Sequence, residues 1–155
     1  MEITISPVKR RDIPALVALQ RAAFAPLYAL YQDEESPYLR KKDEVLRWMK
    51  HPARYPYKIL TDGEICGGIT AYARGNGEYY LARLYVSPAM QGHGIATRAV
   101  ALLEVQFPDA RKWTLDFPAD QPANRRCYEK AGYRDTGATD PRNDKLTLAL
   151  YEKII

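Results

Sequence analysis

The chain has 155 residues, 46% of them hydrophobic and 27% charged, with a net charge of +4 and a pI near 9.0. This is the size and balance of one globular domain over residues 1–155, and it excludes a disordered chain or a pair of full domains. No uninterrupted run of about eighteen apolar residues occurs, so no segment is expected to span a membrane; Met1–Ser6 lacks the pattern of a secretory leader, and the cytoplasm is the expected compartment.

Glu2 to Val8 alternates Ile3 and Ile5 with polar neighbours and predicts a first strand. Asp12 is placed to cap a helix over about 12–25, with Pro14 in its first turn and Ile13, Leu16, Val17 and Phe24 largely on one face. Residues 26–40 read as irregular and hold Tyr28, Tyr31 and Tyr38 with the acidic trio Asp33-Glu34-Glu35. A second helix is expected from a cap at Asp43, with Val45, Leu46 and Met49 inward and Pro52 ending it. Tyr57–Thr61 and Ile65–Ala73 predict a hairpin about Asp62-Gly63, and Gly67-Gly68 suggests a close backbone approach. After a turn at Gly75–Gly77, Tyr79–Val86 is the longest strand-like run. Ile95, Ala96, Ala99, Val100 and Leu103 then recur at helical spacing up to Pro108. Lys112–Phe117 predicts a strand, 122–131 a short helix stopped by Gly132, Tyr133 the start of a strand, and Lys145–Tyr151 a final alternating strand. This order, β α α β β β α β α β β, implies an α+β domain whose sheet is mostly antiparallel with one parallel pair.

The sharpest motif is Gln91-Gly92-His93-Gly94-Ile95-Ala96-Thr97, between a strand and a helix. A helix N-terminus offers unpaired N–H groups and partial positive charge, and glycines before it let the backbone curl around an anion. The chain has no G-x-x-x-x-G-K-[ST] motif, and its glycine loop lacks the third glycine of a dinucleotide fingerprint. Cys66 and Cys127 are too few for a disulfide framework, His51 and His93 are far apart, and no metal is expected. The basic residues are scattered, which argues against nucleic acid and suits a phosphate-bearing small molecule.

The spacing Gln91-x-x-Gly94-x-Ala96 after Leu84-Tyr85-Val86-Ser87-Pro88 resembles the Q/R-x-x-G-x-G/A signature of the GNAT superfamily of N-acetyltransferases. Asn124-Arg125-Arg126-Cys127-Tyr128-Glu129-Lys130-Ala131-Gly132-Tyr133 resembles the second block of that family. The element order agrees over nearly the whole chain. The resemblance implies a three-layer GNAT-like fold, with a mixed sheet of about seven strands and about four helices. It also implies direct transfer from acetyl-CoA to a primary amine of a small molecule or protein.

On that resemblance Leu84, Tyr85, Val86, Gln91, Gly92, His93, Gly94, Ile95, Ala96, Thr97 and Asn124 hold the cosubstrate. Tyr128 is the general acid. Many members carry an asparagine seven residues before that tyrosine, where this chain has Gln121; Asn124 shares a helical face with Tyr128 instead. An amine with a pKa of about 10.4 must lose a proton before it attacks. Candidate bases are Glu34, Glu35, Glu78 and Asp116. The acceptor region implied is 26–40, so Tyr28, Tyr31, Glu34 and Asp116 are the expected substrate contacts, where aromatics and carboxylates suit a cation. An alternative activity is a non-catalytic acyl-CoA-binding module of the same fold. The alternating strand at 145–151 is a candidate surface for a homodimer.

Overall fold

The structure, a computed structural model, describes residues Met1–Ile155. The elements run β1 (Ile3–Pro7), α1 (Ile13–Tyr31), α2 (Lys42–Met49), β2 (Arg54–Thr61), β3 (Glu64–Gly75), β4 (Glu78–Val86), α3 (Ile95–Val105), β5 (Lys112–Pro118), α4 (Pro122–Lys130), β6 (Arg134–Pro141) and β7 (Thr147–Ile154), with single 3-10 turns at Arg10–Asp12, Pro37–Leu39 and Pro88–Met90. One seven-stranded sheet has the order β1-β2-β3-β4-β5-β7-β6, and only the β4–β5 pair is parallel. The expected element order and sheet composition are both present.

Helices α1 and α2 cover one face of the sheet, α3 and α4 the other. The larger core lies under α3. There Ile95, Ala99, Val100 and Leu103 pack on Ile59, Ile69, Leu81, Trp113, Leu115 and Phe117. Trp113 is fully buried, stacked on Tyr79 with ring centroids 5.1 Å apart. On the α1 face the buried charge of Lys58 is met by Asp12 at 2.8 Å. That cation holds the Asp12 carboxylate below its ordinary range.

Two sequence expectations are corrected. Helix α1 does not stop near residue 25 but continues through Pro26 to Tyr31. The ring of Pro26 faces solvent, and the extra turn is fixed from outside, by Tyr28 stacked on Tyr38 at 5.0 Å and by the buried Tyr31. Residues 26–31 are therefore helical, and only 32–41 link the two helices. Helix α2 starts at Lys42 rather than after Asp43; Glu44 accepts the Lys41 N–H at 3.3 Å, and Asp43 lies in the first turn, favourable for the helix dipole. Arg10–Tyr31 is long and apolar enough by composition to cross a membrane, because its polar residues are few although they interrupt the apolar run. In the fold it lies along the sheet with Ile13, Leu16, Gln20 and Tyr31 buried.

Candidate active site

The loop before α3 is an anion cradle in its geometry. Gly92 and Gly94 have φ of 83° and 75°, a backbone region that costs other residues energy, and open space surrounds both. The first N–H in this run to find an acceptor is that of Arg98, bonded to the Gly94 carbonyl at 3.1 Å. The N–H groups from Gly92 to Thr97 bond to no group of the chain. Ile95, buried at the start of α3, anchors the loop in the core. The Gln91 amide donates to the Val86 carbonyl at 3.0 Å and ties the loop to the end of β4. Gln91 thus shapes the cradle. His93 is exposed, with its Nδ1 3.1 Å from the Gln91 carbonyl.

The parallel ladder between β4 and β5 is short. It joins Glu78–Tyr80 to Lys112–Thr114 and then ends. Beyond it β4 stays paired to β3, and β5 to β7, so the edges of Leu81–Val86 and Leu115–Pro118 that face each other have no ladder. Unpaired backbone beside a cleft needs a partner. An extended chain carrying amides, such as a pantetheine arm, fits that need, and a pyrophosphate fits the cradle beyond it.

Tyr128 enters this gap from α4. Its ring rests on Phe117 at 5.4 Å and Tyr133 at 6.2 Å. Burial first, and then the charges of Cys127, Tyr80 and Asp116, push its pKa well above that of a free phenol. Tyr128 is therefore protonated throughout the working range, with no hydrogen bond inside the chain to occupy its hydroxyl. On the same helix Cys127 Sγ lies 3.4 Å from Thr97 Oγ1 in the first turn of α3. Asn124 is half-buried one turn before Tyr128.

Asp116 lies on the opposite face of β5 from Phe117, since side chains alternate along the strand. Burial raises its pKa, against the opposing effects of the Tyr80 hydrogen bond and of Arg142. Tyr80 donates to Asp116 Oδ1 at 3.0 Å. The phenol and the carboxylate therefore flank the gap, one from the α4 side and one from the α1 side. Tyr80 was not anticipated from the sequence. The sequence held no local signal for it: Tyr80 pairs with Thr114 in a parallel register that only the fold sets, and this puts it beside Asp116 two residues on.

The other expected acceptor residues are dispersed. Tyr31 is buried and spent on structure: its hydroxyl donates to Asp120, it accepts from the Gln121 amide at 2.9 Å, and its carbonyl accepts from Asn143 at 3.0 Å. Tyr28 is half-buried against Tyr38. Glu34 is exposed, and its carbonyl accepts from Arg40. Glu78 is exposed at the closed end of the β4–β5 ladder, away from the gap. Glu35 lines a cavity of about 290 Å³ with Arg40, Glu44, Arg47, Trp48 and Arg83, the last of them in the β4 segment that borders the gap. Of the candidate bases, only Asp116 stands at the gap.

The family model described as "Acetyltransferase (GNAT) family" matches residues 18–133. No curated protein sequence matches the chain. Among solved structures, an acetyltransferase from Thermus thermophilus superposes with a TM-score of 0.79 at 19% identity, covering 100% of this chain and 98% of that one. The PaiA N-acetyltransferase of Thermoplasma acidophilum, in complex with coenzyme A, gives 0.79 at 17% identity over 100% of both chains. The spermidine N-acetyltransferase of Vibrio cholerae, in complex with CoA and spermine, gives 0.80 at 14% identity, covering 98% of this chain and 95% of that one. At these identities the likeness is one of fold.

Proposed function

The chain belongs to the GNAT family of acetyltransferases, and from that premise we propose that it transfers an acetyl group from acetyl-CoA directly to a primary amine. The observation that carries the reading is the unbroken set of free N–H groups from Gly92 to Thr97, next to a strand pair that opens into a gap. Those N–H groups suit the pyrophosphate, and the free edge of Leu84–Val86 suits the pantetheine and thioester. The acyl donor supplies an activated carbonyl. N–H groups along Leu84–Val86 would stabilise the oxyanion that develops there, because donors fixed in a dry cleft need no reorganisation. Tyr128 would donate to the departing sulfur. Its raised pKa makes it a steady hydrogen-bond donor. Asp116, held by Tyr80, would orient the amine and draw off its proton.

The melting temperature tests the first step. At about 100 times Kd, a ligand adds roughly 2.7 kcal/mol, and each kcal/mol moves the midpoint of a domain this size by about 2–4 °C. Acetyl-CoA or coenzyme A is expected to raise it by several degrees, and ATP and NAD are not. A flat response to acetyl-CoA would remove the cosubstrate from this reading.

Asp116→Asn tests the carboxylate through two opposite effects. Its pKa is raised in the fold, so ionised Asp116 costs stability, which returns as pH falls through that raised value and is fully restored below the ordinary 3.8. The amide keeps an acceptor for Tyr80 and carries no charge. The variant is expected to melt above the wild type at neutral pH, with the difference closing in acid, while its turnover falls and loses the acidic limb of the pH profile. Full turnover with that limb intact would remove Asp116 from the chemistry.

A further inference from the structure

Arg83 is a half-buried cation without an anion, with one guanidinium nitrogen shut off from solvent. It sits in β4 immediately before Leu84–Val86, with a φ of 51° that a side chain of this kind rarely adopts. Its guanidinium lies 4.0 Å over the Trp48 ring of α2, and that of Arg54 covers the same ring at 4.4 Å. Arg83 Nη1 is buried with no hydrogen-bond partner. Burial first, and then repulsion from Arg54 and Arg40, which outweighs the pull of Tyr85 and Glu44, bring its pKa down to about 10. The carboxylate of Glu44 is already engaged by Arg40 at 3.2 Å, and Glu35 is exposed. Arg83 opens onto the cavity of about 290 Å³ described above, with Arg40 and Arg47 on its walls.

Cations taken out of water are normally paired, and a guanidinium offers a planar fork suited to an oxyanion. A cation–π contact with Trp48 offsets part of the cost but leaves the Nη1 donor unmet. Strained backbone at such a position marks a place where surrounding structure enforces a geometry. We propose that the acceptor is a zwitterion, whose amine is acetylated at the β4–β5 gap while its oxyanion docks on Arg83 in the cavity between α2 and β4. This rests on the acetyl-transfer reading and narrows its substrate class. It also inverts the expectation from the acidic trio, which pointed to a purely cationic amine.

The test uses matched amines with and without the anion: lysine against cadaverine, and γ-aminobutyrate and aminopropylphosphonate against butylamine. The last series separates a carboxylate from a phosphate-like group. The wild type is expected to favour the anionic member in kcat/KM by about tenfold to a hundredfold, the range for charge-assisted hydrogen bonds. Arg83→Met should abolish the preference and Arg83→Lys retain part of it. Calorimetric binding of the same amines without cosubstrate reads the preference even where acetyl-CoA fails to bind, so the two readings fail separately. No preference in the wild type, or the same preference in Arg83→Met, overturns the proposal. Arg83→Met should also melt no lower than the wild type; a lower midpoint with unaltered selectivity would make Arg83 a packing residue for α2.

Discussion

Replacing Tyr128 with phenylalanine is expected to lower kcat by about a hundredfold to ten-thousandfold, the usual range for removing a positioned proton donor, with affinity for acetyl-CoA essentially unchanged. The change removes one oxygen. The ring keeps its contacts with Phe117 and Tyr133, and no hydrogen bond within the chain is lost. The melting temperature should therefore hold, which separates this loss from misfolding. Steady-state rates beside calorimetric binding of acetyl-CoA make the measurement. Unchanged turnover would assign proton delivery to solvent. A wild type that binds acetyl-CoA yet turns over no amine would favour the acyl-CoA-binding module instead.

Gly67→Ala is expected to cost about 3 kcal/mol, near the top of the range for forcing atoms into a packed interior. A Cβ at Gly67 would stand 2.1 Å from the Tyr85 carbonyl oxygen on β4, and backbone cannot swing aside. At about 2–4 °C per kcal/mol, the midpoint should fall by roughly 6–12 °C. Relief requires β4 to move away from β3 at Tyr85–Val86, the segment assigned to the thioester, so activity should fall even where the variant stays folded. Gly68→Ala is a useful contrast. Its Cβ would meet the Tyr85 ring, 2.6 Å from the hydroxyl, and a side chain can rotate. A smaller loss of stability is expected there. Equal losses would locate the constraint in the close packing of β3 on β4 at Gly67-Gly68 as a whole rather than in one carbonyl.

The elements were legible where local chemistry punctuates the chain. Asp62-Gly63 and Gly75–Gly77 mark two turns, and alternation in β5 gave the face that carries Asp116. The loop from Gln91 to Thr97 was legible because its chemistry is local: backbone, glycine and a helix start. What could not be read depends on distant partners. Pro26 looks like a stop, and contacts with Tyr38, Asp120, Gln121 and Asn143 hold the helix past it. The left-handed turn at Arg83 has no glycine to announce it. Tyr80 gains its meaning from register with β5, and Tyr31 loses its expected role to three bonds whose partners lie far along the chain.

Those three bonds also bear on time. The Tyr31 partners are 89, 90 and 112 residues away, so the clasp closes only after β5, α4 and the β6–β7 hairpin exist. Contacts of such sequence separation form after their loop entropy has been met by other pairings. The clasp is therefore expected to form late in folding, so that weakening it should speed unfolding more than it slows folding. The end of α1, which borders the acceptor side, would be the first region to let go.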